Sequence, residues 1–281
     1  MEIQRFSRIQ SDDMRRYFDE NGFVIITDAL SSEDIADFRA EVKNVISAFL
    51  KKAGLPPISH EGDRIFTDGI HALEKADHEY VASIYDTIFQ TPSFFRILGE
   101  RNIETAIKDL LGIEPDHALY GFTNRCRIDP PSDNRRTYGW HQEVFYTVAQ
   151  GKYLQTWAPL VFDTKVANGT IEICPGSHKE VIAKQSWDEI PGRATQILID
   201  DAVIAKYDPT PVEMKLGELL IFSGYLAHRS GSNTSDQVRY SLVGMYHDVM
   251  HEPFKTPKLG FDYRGQSPRA FYDSVFKEAA E

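Results

Sequence analysis

From residue 117 onward the chain is written in short bursts. "ALYGFTNRCRID", "GWHQEVFYT", "LQTWAPLVF", "GTIEICPGSH", "PVEMKLGELLIFSG" and "VRYSLVGMYHDV" are rich in β-branched and aromatic residues and are separated by Gly, Pro, Asn and Asp. Many short strands with turn residues between them fit a sandwich or a barrel. The preceding part reads differently. A short helix ends near Asn21-Gly22, "FVIIT" is a short buried strand, and Ser31 or Ser32 caps a long helix. Ile35, Phe38, Val42, Val45, Ile46 and Phe49 recur at helical spacing and form a buried stripe. Residues 79–112 are again helical, with Pro92 near a start and Gly112 after an end. Residues 56–78 are polar and irregular, and are expected to be a loop near the mouth of a site. "SPRAFYDSVFKEAAE" closes the chain as a helix capped by Ser267, with Pro268 at its first position.

The expected architecture is therefore mostly β with a helical buttress, in one unit spanning residues 1–281. Its helical part runs to about residue 115, its β core from about 116 to 250, and a loop and helix from about 251 to 281.

Composition narrows the partners. The net charge is −11 and the isoelectric point about 5.3. Nucleic acid and anionic membranes reward basic surfaces, so neither is an expected partner. A local basic pocket for an anionic small molecule remains compatible with that balance. The two cysteines, Cys126 and Cys174, do not make a disulfide framework. The start "MEIQRFSRIQSDDMRRYF" has no apolar core of a secretory signal. No apolar run reaches the ~18–20 residues of a membrane span. A reducing cytoplasm is the expected setting, and it suits ferrous iron.

"GWHQEVFYT" places His141 and Glu143 two positions apart. On a strand, such residues share a face. Alone, the pair is more often an ordinary polar pair than a metal site. Downstream, His228 ends the apolar stretch "GELLIFSGYLAH", and Arg239 follows eleven residues on, inside "VRYSLVGMY". A guanidinium among apolar strand residues needs an anion. That anion is either an internal carboxylate or a substrate's, held bidentately. Two histidines and one carboxylate make the facial triad of non-haem ferrous oxygenases, which leaves coordination positions open. A bidentate 2-oxo acid and dioxygen fit those positions, and Arg239 is the natural anchor for the acid's far carboxylate.

These stretches, with "FDENGFVIITDALSSEDIADFRAEV", "NGTIEICPGSHK" and "GELLIFSGYLAHRSGSNTSDQVRYSL", make the chain resemble the phytanoyl-CoA dioxygenase family of iron(II)/2-oxoglutarate oxygenases. The resemblance spans residues 17 to 242. It implies a double-stranded β-helix, a cupin-like jelly roll, with the N-terminal helices packed on one sheet. It implies His141, Glu143 and His228 as metal ligands, and Fe(II), 2-oxoglutarate and O2 as cofactor and cosubstrates. Arg239 and Ser230 would hold the distal carboxylate, with Ser241 a further candidate, and Trp157 would line the cosubstrate pocket. The activity implied is hydroxylation of an aliphatic carbon of a small molecule, with succinate and CO2 as co-products. One residue departs from the family's pattern: Glu143 stands where the family usually has aspartate. A jelly-roll metalloenzyme that does not use 2-oxoglutarate, and a non-catalytic metal-binding module, are the alternatives; no protein partner can be inferred.

Asn124, Arg127, Phe145 and Tyr146 are candidates for substrate contact. In "FTNRCRIDPP", Asn124 and Cys126 share one strand face, Arg125 and Arg127 the other. A pair of inward arginines would favour an anionic substrate; the alternative is a solvated outer face. "HDVMHE" holds a rival pair, His247 and His251. Its glutamate follows the second histidine, unlike the metalloprotease pattern, so strand-end surface histidines are expected there. His178 in "PGSHK" is expected to be structural.

Overall fold

A computed structural model describes residues 2–254, apart from 8, 10, 134–136, 147–150, 183–184, 189–195 and 253. The expected C-terminal helix lies outside the described residues. The leading segment forms β1 (Arg5–Phe6), α1 (Asp12–Asn21), β2 (Phe23–Ile26) and α2 (Ser32–Lys52). Gly22 ends α1 in the left-handed conformation, at φ 83°, where glycine avoids the Cβ penalty. Ser31 caps α2 by accepting from the Asp34 amide at 3.3 Å. Four helices follow: α3 (Ile70–Ala76), α4 (His78–Ile88), α5 (Pro92–Leu98) and α6 (Arg101–Leu111).

Nine further strands and one short helix complete the described order: β3 (Leu119–Asp129), β4 (Tyr153–Pro159), β5 (Ile171–Ile173), β6 (Gln185–Asp188), β7 (Gln196–Ile199), α7 (Asp201–Ile204), β8 (Thr210–Pro211), β9 (Leu219–Ser223), β10 (His228–Ser230) and finally β11 (Arg239–Asp248). Six strands make one sheet in the order β1-β2-β9-β4-β11-β3; β10-β5-β8 make a second, and β6-β7 a small third.

Alternation along the strands sorts the side chains into two cores. Val24, Ile26, Cys126, Ile128, Leu219, Ile221, Tyr240 and Leu242 turn to the helices and share one apolar cluster with α2, α4, α5 and α6. Phe23, Ile25, Trp157, Leu220 and Phe222 turn the other way and pack on Ile171 and Ile173 of the smaller sheet. The layers are thus helices, large sheet, small sheet. The site lies between the two sheets.

Two local expectations are corrected. Within 56–78, a π-helical turn at Ile65–Gly69 runs directly into α3, and Ile65, Phe66, Ile70 and Leu73 are fully buried. The polar residues hid a buried minority. The Tyr240 hydroxyl donates to the Phe66 carbonyl at 2.7 Å, and the Val238 amide donates to Thr67 Oγ1 at 3.2 Å. The segment is therefore fastened to the strand that carries Arg239. Second, His141 and Glu143 do not sit on a regular strand. His141 makes an isolated bridge to His228, and Glu143 opens a 3-10 turn, Glu143–Phe145.

Candidate active site

That bridge is what brings the histidines together. The His141 amide donates to the His228 carbonyl and the His228 amide to the His141 carbonyl, both at 3.0 Å. Residues that exchange both backbone bonds project side by side from one face. The ring centroids lie 4.2 Å apart. Each Nδ1 faces a backbone carbonyl two residues back: Gly139 at 2.8 Å for His141, Leu226 at 2.9 Å for His228. A nitrogen facing a carbonyl oxygen must carry the proton. Both rings therefore present the lone pair of Nε2.

Glu143 reaches back from its turn until Oε2 lies 3.6 Å from His141 Nε2. One donor atom from each of His141, Glu143 and His228 falls within 4.8 Å of the others. Two imidazole lone pairs and a carboxylate, all acceptors, face one another. Only a cation satisfies such a set. Protonation is a poor substitute at His228, whose pKa is held well below the ordinary histidine value by burial and by His141, against the Leu226 carbonyl. The donors are those of a facial triad, and they fit a divalent transition metal. Among the described residues this is the one such cluster.

The residue between His141 and Glu143 is fixed as firmly. Gln142 is fully buried. Its amide donates to the carbonyls of Glu180 and Tyr225, at 2.8 and 2.5 Å, and its Oε1 accepts from the Ile182 amide at 2.9 Å. Gln196 holds the segment leading to His141, accepting from the Gly139 amide at 3.1 Å and donating to the Thr137 carbonyl at 3.0 Å.

The triad opens into a cavity of 490 Å³ whose walls include Trp157, Tyr146, Arg127, Ser230 and Arg239. Arg239 is 5 % exposed, with Nη2 2.9 Å from Asp129 Oδ2. The other oxygen of Asp129 takes Arg127 Nη2 at 2.8 Å. Burial alone would raise the Asp129 carboxyl; Arg127 and Arg239 outweigh it and hold the pKa at about 2. Two guanidinium groups share one carboxylate, so the cluster carries a positive excess facing the cavity. Arg239 Nε has no partner, and Nη1 makes only long contacts, 3.4 and 3.5 Å, to the Gly231 and Asn168 carbonyls. Ser230 Oγ accepts from Arg127 Nη1 at 3.3 Å. Gly169 is required beside this cluster. It sits at φ 77°, and a Cβ there would lie 2.7 Å from Arg239 Nη1 and 2.6 Å from the Gly231 carbonyl.

Other candidates fall elsewhere. Phe145, expected to touch substrate, is fully buried with Val144 and Ile197 in a separate small core. Asn124 packs toward Gly121 and Gly244, on the helix-facing side of the sheet, and does not line the cavity. Ser241 lies opposite Arg127 with a buried hydroxyl that has no partner, but it too is absent from the cavity wall. His247 is not a surface residue: it is fully buried in β11, its ring stacked on Tyr153 at 4.7 Å. His178 Nε2 donates to the Asp19 carbonyl, 3.2 Å away, and belongs neither to the cluster nor to the cavity wall. Cys126 and Cys174 are buried thiols. Sequence reading missed Asp129, Gln142 and Gln196. Asp129 had a signal, since it stands two residues after Arg127 and so shares its strand face.

Comparison with known proteins places the chain in a family. The model of the phytanoyl-CoA dioxygenase (PhyH) family matches residues 18–241. A probable phytanoyl-CoA dioxygenase of Caenorhabditis elegans is 24% identical over 255 residues, 88% of this chain and 78% of that protein. An ectoine dioxygenase of Bordetella parapertussis is 23% identical over 279 residues, 92% of this chain and 82% of that protein. Among solved structures, EctD from S. alaskensis with 2-oxoglutarate and 5-hydroxyectoine superposes with a TM-score of 0.61 at 18% identity, covering 96% of this chain and 89% of that one. The α-ketoglutarate-dependent epimerase SnoN from nogalamycin biosynthesis gives 0.54 at 16% identity, covering 89% and 91%. With a family model matched over most of its length, the chain belongs to the phytanoyl-CoA dioxygenase (PhyH) family of iron- and 2-oxoglutarate-dependent dioxygenases.

Proposed function

We propose that the protein hydroxylates an aliphatic carbon of a small molecule, releasing succinate and CO2, with His141, Glu143 and His228 holding Fe(II). The observation that carries this reading is the convergence of two Nε2 lone pairs and a carboxylate in one cavity with a buried arginine cluster. In this reading the two facing sheets are the halves of a double-stranded β-helix, with the metal ligands at the joint made by the His141–His228 bridge. Bound iron supplies the oxidation of an unactivated carbon by O2 and the 2-oxo acid, chemistry that no side chain provides.

The protein's part is binding and exclusion. Arg239 pairs with the distal carboxylate of 2-oxoglutarate through the edge that Asp129 leaves free. Asp129 keeps that guanidinium and that of Arg127 in place. Ser230 adds a hydroxyl to the same carboxylate. Trp157 walls the cosubstrate off from water, being 5 % exposed. The carbonyls of Gly139 and Leu226 lock the imidazole tautomers. No general base is required.

The test is succinate release under O2 with Fe(II) and 2-oxoglutarate. His228→Ala is expected to abolish iron-dependent turnover. Arg239→Ala is expected to raise the 2-oxoglutarate requirement about tenfold or more, since a charge-assisted pair contributes roughly 1.5–3 kcal/mol. An arginine variant with an unchanged 2-oxoglutarate requirement would refute the anchoring role.

A further inference from the structure

The oxygenase reading uses Arg239 and leaves three other arginines on the cavity wall, Arg125, Arg127 and Arg229, with Glu143 the only lining carboxylate among the described residues. Arg127 is committed to Asp129 and Ser230. Arg229 is paired with Glu172 at 2.9 Å and lies over the Trp140 ring at 4.7 Å. Arg125 differs. It is exposed toward the cavity from β3, opposite Val243, and no carboxylate among the described residues pairs with it. Its charge acts on the phenol of Tyr138, another wall residue.

The strand beneath Arg125 is irregular. Pairing of β11 with β3 runs from Val243↔Arg125 to Met245↔Phe122, so β3 carries one extra residue there. A bulge of this kind re-aims side chains. Thr123 takes up the irregularity at φ 52°, in the left-handed region that a β-branched residue avoids. Backbone held there against preference collects at binding and catalytic sites. Here it turns Thr123 into the cavity, where Oγ1 is buried without a partner. On the neighbouring wall, Gln155 is 2 % exposed and its Nε2 donor is also unpartnered. Leaving such groups unmet in a protein interior is costly, and both line the same space.

We propose that Thr123 and Arg125 of the bulged segment form the substrate subsite with Gln155, and that the substrate carries an oxyanion, a carboxylate or phosphate, paired with Arg125. Thr123 Oγ1 and Gln155 Nε2 meet a second polar group on the same molecule. Tyr85, Tyr138 and Tyr146 wall its body. The inference rests on the oxygenase reading, because that reading fills the Arg239 pocket with 2-oxoglutarate and leaves Arg125 for the substrate.

The experiment is calorimetric titration under anaerobic conditions, with the full chain, Fe(II) and saturating 2-oxoglutarate. The visible charge-transfer band of the iron–2-oxoglutarate chelate is followed first. Without the band, the oxygenase reading fails and this inference with it. With the band present, matched probes are compared: phenylacetate with phenylacetamide, glutamate with glutamine, and glycerol 3-phosphate with glycerol. The charged member of at least one pair is expected to bind about tenfold or more tightly than its neutral partner. The pair that responds separates carboxylate from phosphate. Arg125→Gln is expected to erase that preference and Arg125→Lys to keep part of it. Thr123→Gly should raise the Tm by removing the strained φ while weakening the charged probe. Equal binding of charged and neutral probes, or a preference that survives in Arg125→Gln, would overturn the subsite and leave the oxygenase reading standing.

Discussion

Asp129 and His247 both contribute to the acid stability of this protein, in adjacent pH windows. Asp129 has its pKa lowered to about 2 by two arginines. A depressed carboxylate stabilises the fold above its unfolded pKa near 4, and that contribution is lost as pH falls through about 2. It amounts to on the order of 2 kcal/mol. His247 is lowered to about 4 by burial. Its unfolded form takes up a proton near pH 6.5, so the native state weakens as pH drops from about 6.5 to about 4. Denaturant titrations across this range are expected to show two successive losses. His247→Phe, which keeps the stacking on Tyr153, should reduce the upper one and leave the lower unchanged. Asp129→Asn should cost about 3–5 kcal/mol, because it strands two buried guanidinium groups. An Asp129→Asn protein as stable as the parent at pH 7 would remove Asp129 from this account.

At the scale of elements, the site depends on segments that cross between sheets. The loop from β4 to β5 delivers Gly169 against Arg239, and the turn after His141 delivers Glu143. Gly169→Ala is expected to destabilise the protein, since its Cβ meets a backbone carbonyl at 2.6 Å and Arg239 Nη1 at 2.7 Å, and φ 77° penalises any side chain. The same substitution should raise the 2-oxoglutarate requirement by displacing Arg239. A variant with a lowered Tm and an unaltered cosubstrate requirement would separate Gly169 from the anchor. The π-helical turn at Ile65–Gly69 has a comparable part: its Phe66 carbonyl and Thr67 hydroxyl fasten the start of β11 from behind.

Over the whole molecule, the helical layer supports the sheet and contributes little to the cavity beyond Tyr85. Ile46 lies at the centre of that layer, fully buried on α2 against Gly69. Ile46→Ala is expected to cost about 2–5 kcal/mol, measured by chemical denaturation, with the 2-oxoglutarate requirement unchanged in the folded protein. A large change in that requirement would mean that the helices set the site's geometry and do more than carry it. None of the described helices is long and apolar enough to cross a membrane.

Much of this was legible in the residues. Periodicity gave α1, α2 and the helices to residue 111, because buried stripes and caps are local. The strands were legible from composition and turn residues. Strand alternation put Arg125 and Arg127 on one face and left open whether that face looked inward; the packed sheets place both on the cavity wall. What only the tertiary structure decided has a common cause: it depends on contacts between distant segments. The His141–His228 bridge, the shared Asp129, the burial of His247 and Phe145, and the bulge that turns Thr123 inward are all of this kind. A sequence states which side chains a strand offers to one face; which strand lies opposite, in what register, and whether a bulge shifts the alternation, are fixed only when the sheets pack.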